Sequence, residues 1–234
     1  NPFEKSLMVL SKKQFNTEIQ VLYATWLMNL NEWEAAEKAW QEIPLADIEL
    51  FGKSNPFVER LNECVHCPVK SNERQLTKPQ IVAEMLKLQY DIKANRTESP
   101  QYYYKMGLGL YNMSYFGYAW NMLDYFRSGS SLKAERLENA SDRMKHPLFP
   151  NGNRENVDLS KALGYFEKAI TLSTDKELSA RASFMAARCE QKMSHVTKTA
   201  NKRKYFALLK TKYKDTQYYD KVIESCKYFK YYVN

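Results

Sequence analysis

Cys64, His66 and Cys67 form the cluster of side chains in this 234-residue sequence that is best suited to chemistry. Thiolates and imidazoles bind zinc, but a structural zinc ion needs four ligands, and no second Cys/His pair lies at zinc-finger spacing. A redox motif of the thioredoxin type would need a βαβ context. We therefore expect neither a metal nor another cofactor. Two states of the cysteines stay open: a local disulfide in an oxidising compartment, or thiols in a reducing one.

The other reactive residues form no catalytic pattern. His146 lies in a segment rich in Pro and Gly, and His195 lies near a predicted helix end. Neither belongs to a Ser/His/Asp, Cys/His or HExxH arrangement. Gly107 and Gly109 lie within a predicted helix and lack the Lys and Ser/Thr of a phosphate-binding loop. We expect a protein that is not an enzyme.

A basic segment near the C-terminus indicates an alternative function. The formal net charge is +8, and a run of cations alternates with Tyr205, Phe206 and Tyr213, as in surfaces that bind single-stranded nucleic acid. On a helix over 200–213, however, Tyr205, Leu208, Leu209 and Tyr213 share one stripe, which leaves the cations on the other side. The pattern therefore favours a solvated face, and nucleic-acid binding is the alternative. The cations are Lys198, Lys202, Arg203, Lys204, Lys210, Lys212 and Lys214.

Composition and periodicity predict an all-α chain. Hydrophobic residues make up 44% and aromatic residues 14%, which excludes a disordered chain, and only 7 Gly and 8 Pro are present to form tight turns. No run of about 18 uncharged apolar residues exists, so we expect no transmembrane segment. Apolar residues recur at helical spacing. The predicted helices cover 14–30, 31–43, a segment beginning at 78, 101–112, 115–126, 131–144, 159–170, 174–191, 200–213 and 217–231.

Residues typical of helix N-termini, and two irregular insertions, separate the predicted helices along the chain. Ser99 with Pro100, then Asp158, then Thr174 with Glu177, have the types and spacing of helix N-termini. Two segments, about 45–77 and 145–157, contain prolines and glycine and are predicted to be irregular insertions. Within the first, we expect at most one short helical turn, near 57–64.

One helical segment resembles the tetratricopeptide repeat. When Pro100 is position 1, Tyr103, Met106 and Gly107 match the aromatic, apolar and small positions of the first helix, and Phe116 and Ala119 match the second. Segments 31–36 and 162–170 resemble second halves of the same unit, and 180–189 resembles a first half. The resemblance implies one domain over residues 1–234, an α-solenoid of antiparallel helix pairs with degenerate, interrupted repeats.

The resemblance also implies a concave groove lined by the first helix of each pair. Its groove positions fall on Gln101, Tyr104, Leu108, Tyr111 and Asn112 in the best repeat, and the weaker repeat adds Ser183 and Glu190. Members that bind a free C-terminal carboxylate have Lys and Asn where this chain has Tyr104 and Leu108, so we do not expect that ligand. Tyrosine and asparagine suit binding of an extended peptide or a protein surface.

The exposure of the side chains on this helix distinguishes a binding groove from a face that packs against another repeat. In a groove, Gln101, Tyr104, Tyr111 and Asn112 are partly exposed, whereas Tyr103 and Met106 are buried. The C-terminal segment 205–219 is similar to the ends of tetratricopeptide proteins of bacterial cell envelopes. Asn1 is not Met, so we expect a piece of a longer protein. The expected function is a protein-interaction scaffold in the cell envelope or periplasm, with the cytoplasm as the alternative.

Overall fold

The computed structural model describes residues 6, 9–10, 16–61, 72–94, 98–124 and 156–233. β-Pairing among these residues is confined to one isolated bridge between Ser54 and Leu76, so the expected all-α character is confirmed for them. Their α-helices are α1 (Thr17–Leu30), α2 (Trp33–Gln41), α3 (Leu45–Ile48), α4 (Lys78–Ala94), α5 (Ser99–Met113), α6 (Ser160–Leu172), α7 (Lys176–Val196), α8 (Lys204–Lys212), α9 (Gln217–Ser225) and α10 (Lys227–Val233).

The chain divides into two compact units. Unit 1 comprises Asn1–Asn55, Lys70–Leu86 and Ala119–Asn156. Unit 2 comprises Pro56–Val69, Lys87–Tyr118 and Val157–Asn234.

Helices α1 and α2 form a hairpin in unit 1. Asn16 caps α1, because its Oδ1 accepts a hydrogen bond from the Ile19 N–H at 3.2 Å. Asn31 ends the helix in the left-handed conformation, with φ of 62°. The Nε1 of Trp40 on α2 then lies 3.4 Å from the Sδ of Met28 on α1. The two helices predicted over 14–30 and 31–43 are confirmed.

Helices α5 to α10 build the core of unit 2. Helix α5 packs against α6 and α7, and α7 also packs against α8 and α9. Phe166, Phe184, Phe206 and Phe229 are buried among these helices. Gly107 of α5 makes room for the Phe166 ring of α6, because a Cβ at Gly107 would lie only 2.7 Å from Cε1 of that ring. Gly107 therefore marks a close helix crossing, with α6 as the partner.

The partner helix predicted over 115–126 is wrong for the residues described there. Residues 114–119 form turns, and a short 3-10 helix follows at Trp120–Met122. The cause is the tight turn after α5: a Cβ at Gly117 would lie 2.1 Å from the carbonyl oxygen of Asn112. The chain folds back on the end of α5 and cannot continue there as a helix.

The segments that resemble repeat halves are far apart in the sequence where they pack. Residues 99–113, which include the segment that resembles a first half, pack against 160–172, which include one that resembles a second half. Residues 114–159 lie between them in the sequence.

Several boundaries differ from the predictions. Glu98, not Ser99, precedes α5 and makes no side-chain cap. Asp175, not Thr174, caps α7, because its Oδ1 accepts from the Glu177 N–H at 2.8 Å. The predicted helix over 217–231 is divided at Cys226, which is extended.

Other predictions for loops and caps have mixed outcomes. Short helical turns lie at α3 and at the 3-10 helix Glu49–Phe51, before the place expected near 57–64. Residues 57–61 are not helical, and residues 62–64 lie outside the described residues. The Asp158 carboxylate accepts from the Ser160 N–H at 2.8 Å, but the residue that directly precedes α6 is Leu159, which makes no side-chain cap. The predicted helix over 131–144 and nearly all of the 145–157 insertion lie outside the described residues.

Candidate functional site

A non-helical segment of unit 2, which we call the strap (Pro56–Leu61), lies against side chains of α5, α7 and α9. Asn112 of α5 begins the contact. Its buried Nδ2 donates to the carbonyl oxygen of Pro56 at 2.7 Å and to that of Val58 at 3.1 Å. One amide side chain therefore satisfies two main-chain acceptors of the strap.

Two further side chains donate to the main chain of the strap. The Tyr118 hydroxyl donates to the Val58 carbonyl oxygen at 2.8 Å. Arg188 of α7 donates from Nη1 to the Arg60 carbonyl oxygen at 2.8 Å and from Nη2 to that of Leu61. Arg188 is buried, and its guanidinium lies 4.5 Å from the Phe184 ring centroid. The strap thus receives hydrogen bonds along its whole length.

The side chain of Glu59 in the strap also forms hydrogen bonds with the helices. Its carboxylate accepts from the Tyr104 hydroxyl of α5 at 2.6 Å and from the Tyr218 hydroxyl of α9. Both tyrosines are buried. A carboxylate with two hydroxyl donors is held by charge-assisted hydrogen bonds, which are stronger than neutral ones.

Burial and a nearby negative charge keep the hydroxyls of Tyr104 and Tyr218 protonated. Burial, followed by the charge of Glu59, raises the pKa of Tyr104 and the pKa of Tyr218 well above 10.0. Arg181 opposes this change at both rings, and its guanidinium lies 5.7 Å from the Tyr218 ring centroid. At neutral pH, the two tyrosines therefore act as donors to Glu59.

The expected exposure of the groove is wrong for most of its residues. Tyr104 and Tyr111 are only 7% and 2% exposed, and Asn112 is also buried. Tyr103, expected to be buried, is half-buried, whereas Met106 is buried as expected. The physical reason at Tyr104 and Asn112 is that the strap of the same chain lies against them.

The remaining predicted site residues are dispersed. Gln101 is exposed and Leu108 is buried. Ser183 is buried and donates to a carbonyl of its own helix at 2.7 Å. Glu190 is half-buried, and its Oε1 accepts from the Lys204 N–H at 3.2 Å. Of the predicted residues, the structure thus brings Tyr104 and Asn112 together around the strap.

Sequence reasoning missed Glu59, Tyr118, Arg188 and Tyr218. Glu59 lies in the segment predicted to be an irregular insertion, where no periodicity marks a residue. One signal was present at Arg188, because a cation between Ala187 and Cys189, in a run of small apolar residues, is buried if the helix is buried.

The basic face fits its prediction for the residues that the structure describes. Tyr205 and Leu209 are buried, and the predicted cations of 198–214 are exposed. Among the described residues, no group of three or more His, Cys, Asp or Glu side chains could hold a metal ion. Cys64, His66, Cys67 and His146 lie outside that part of the chain.

Comparisons with known proteins identify no relative: no protein-family model, curated protein or solved structure matches this chain. In the described part of the chain, no helix has both the length and the apolar character needed to cross a membrane.

Proposed function

We propose that this chain is a non-enzymatic protein-interaction scaffold that binds a non-helical polypeptide segment in a groove formed by α5, α7 and α9. The supporting observation is the strap, since this surface already holds six residues of polypeptide. Asn112, Arg188 and Tyr118 bind its main chain, while Tyr104 and Tyr218 bind one acidic side chain.

The contacts define which polypeptides fit. Hydrogen bonds to the carbonyl oxygens of Pro56, Val58, Arg60 and Leu61 do not depend on side-chain identity, so they tolerate many sequences. The two hydroxyls at Glu59 select a carboxylate. The groove therefore fits a segment that presents an acidic residue at the place of Glu59.

The strap is tethered to its groove and competes with any partner. A flexible tether gives an effective concentration in the millimolar range. A partner segment therefore binds when it adds contacts outside the groove or when the strap is released.

A trans-binding experiment tests the proposal. In the variant, a Gly/Ser segment of six residues replaces Pro56–Leu61, and the synthetic peptide Asn-Pro-Phe-Val-Glu-Arg-Leu is titrated by calorimetry. We expect saturable binding, and a peptide with Gln at the place of Glu59 should bind about tenfold more weakly, because it loses a charge-assisted pair.

Matched tyrosine variants control for nonspecific effects. In the same background, Tyr104→Phe should weaken peptide binding, because it removes the hydroxyl that donates to Glu59. Tyr103→Phe, on the same helix and paired with the Tyr165 ring of α6, should not. Circular dichroism establishes that each variant is folded. A folded variant that binds neither peptide would overturn the proposed function.

We also propose that the chain belongs to the tetratricopeptide superfamily as a solenoid with interrupted repeats. The packing of 99–113 against 160–172 supports this, because these segments carry the first-half and second-half patterns. Placement in the bacterial cell envelope rests on the similarity of the C-terminal segment. Fractionation of the source cells tests it against the cytoplasmic alternative.

Nucleic-acid binding is the second candidate, and the exposed cations of 202–214 support it, together with Tyr231, which is 84% exposed. Affinity for a single-stranded oligonucleotide should then fall steeply with salt, because each neutralised phosphate releases counterions. No retention at low salt would exclude this candidate.

A further inference from the structure

The strap presents a second charged side chain, Arg60, directly after Glu59. The Cζ atom of the Arg60 guanidinium lies 3.7 Å from the centroid of the Tyr118 ring. At that distance the planar guanidinium stacks on the ring, a contact that the compact ammonium group of a lysine does not reproduce. Tyr118 therefore binds the strap in two ways, since its hydroxyl also donates to the Val58 carbonyl oxygen.

The two neighbouring side chains meet opposite environments. Glu59 accepts hydrogen bonds from two buried tyrosine hydroxyls, and the Arg181 guanidinium lies 5.7 Å from the ring centroid of one of them, Tyr218. A cation at the place of Glu59 would be repelled by that guanidinium. A carboxylate at the place of Arg60 would lie against the negative face of the Tyr118 ring. The groove thus fits an acidic and a basic residue in one order only.

An aromatic and an apolar side chain flank this charged pair. The Phe57 ring centroid lies 5.6 Å from the Nζ of Lys105 on α5, within the range of a cation–π contact. Leu61 is half-buried and packs against the hydrophobic core of unit 2. Side chains of the strap are therefore recognised at positions 57, 59, 60 and 61.

We infer that the groove binds partner segments with the pattern aromatic–x–Glu–Arg–apolar, in which the arginine stacks on the Tyr118 ring. The inference rests on the proposed function and makes it more specific, because a carboxylate alone is not sufficient for recognition. The partner is a protein that presents this pattern in a non-helical segment.

Two peptides that differ only in the order of their charges test the pattern. The chain in which Gly/Ser residues replace Pro56–Leu61 is titrated with Asn-Pro-Phe-Val-Glu-Arg-Leu and with Asn-Pro-Phe-Val-Arg-Glu-Leu. We expect the second peptide to bind at least about tenfold more weakly, because it loses both charged contacts. Equal binding of the two would overturn this inference and leave the proposed function standing. Failure of the first peptide to bind a folded variant would overturn both.

Variants at Tyr118 locate the contact with the arginine. A peptide with Gln at the place of Arg60 should bind about fivefold more weakly than the first peptide. Tyr118→Phe keeps the ring and should preserve this fivefold difference, whereas Tyr118→Leu removes the ring and should abolish it. A difference that persists in Tyr118→Leu would contradict the stacking contact.

The natural chain permits a second measurement that does not require removal of the strap. Arg60→Gln should lower the melting temperature by about 2–4 °C in the natural and Tyr118→Phe backgrounds, but not in Tyr118→Leu. Arg74→Gln is the control, because Arg74 also follows a glutamate but is exposed, and it should change the melting temperature by about 1 °C or less. Equal effects of Arg60→Gln in all three backgrounds, or none in the natural chain, would overturn the inference.

Discussion

Two packed helix pairs in this molecule differ in how the chain connects their helices. In unit 1, α1 and α2 are joined by Asn31 and Glu32. In unit 2, α5 and α6 pack together although residues 114–159 separate them in the sequence. Complementary faces therefore determine which helices pair, because the space beside Gly107 fits the ring of Phe166 regardless of their distance in the sequence.

The physical reason is that loop closure costs little extra as a loop grows. Each doubling of length adds only about 0.6 kcal/mol of entropic cost. Burial of one large side chain contributes about 1.5–3 kcal/mol, which offsets several doublings. Long insertions are therefore compatible with a helix pair whose interface is well packed.

Removal of the Phe166 ring should destabilise the α5–α6 pair more than any other substitution considered below. Phe166→Ala removes a fully buried ring between α5 and α6 and should lower the free energy of unfolding by about 3–5 kcal/mol. Leu172→Ala, on the same helix and 52% exposed, should change it by less than about 0.5 kcal/mol. Urea unfolding followed by far-ultraviolet circular dichroism measures both, and equal values would show that α6 is not a packing element.

A pH series distinguishes the two units. Burial lowers the pKa of Lys78 in unit 1 to about 8, from 10.5, although its Nζ donates to Thr25 Oγ1 at 3.1 Å and Asp124 opposes the change. Between pH 8 and 10.5 the unfolded state binds the additional proton, so the stability of unit 1 should rise with pH, by on the order of 3 kcal/mol. Lys78→Met should abolish the rise.

Tryptophan fluorescence measures that change in unit 1, because all four tryptophans belong to it. Unit 2 should respond in the opposite direction. Its folded Tyr104 and Tyr218 have raised pKa values, so their stabilisation is present below pH 10 and is lost above it, as the unfolded phenols ionise. Tyrosine near-ultraviolet circular dichroism follows unit 2, and a parallel trend in both signals would contradict these assignments.

A smaller effect is expected at the strap. Glu59→Gln should cost about 1–3 kcal/mol, because two buried tyrosine hydroxyls lose their charged acceptor. Glu49→Gln is the control: it removes an exposed ion pair with Lys53 and should cost less than about 0.5 kcal/mol. Thermal unfolding compares them, and a neutral Glu59→Gln would mean that the strap is not held through its carboxylate.

Alanine substitutions at Gly164 and Gly107 should change stability only slightly, but in opposite directions. Gly164→Ala, with open space around its Cβ position, should stabilise α6 by about 0.5–1 kcal/mol through helix propensity. Gly107→Ala has the same propensity gain, but its Cβ would overlap the Phe166 ring, and a net loss of about 1 kcal/mol is expected. Melting temperatures that rise equally in both variants would place Phe166 away from Gly107.

Local signals account for what the sequence predicted correctly. The α1–α2 hairpin depends on apolar residues at helical spacing and on Asn16 and Asn31, which flank α1. All of these residues lie within one short stretch of chain. The pattern over 115–126 was misleading, because Tyr115, Phe116 and Met122 are buried without forming the predicted helix. Its failure depends on one close approach at Gly117, which no periodicity reveals.

The contacts of the strap could not be predicted from the sequence, because they join residues that are far apart in it. Glu59 and Tyr218 are 159 residues apart, and Arg188 is 128 residues from Arg60. No spacing rule relates residues at such distances. Tyr104 and Asn112 were identified only because the repeat resemblance assigns a face to α5, and the identity of the segment bound there came from the structure.

The sequence separation within the strap cluster also has a consequence for the order of events during translation. Asn112 is synthesised 54 residues after Val58, whereas Tyr218 is synthesised 159 residues after Glu59. At about 5–20 residues per second, Tyr218 emerges about 8–30 s after Glu59. For that interval the nascent chain carries a strap whose acidic side chain lacks its α9 partner, so α9 is the last of the three helices to join the groove.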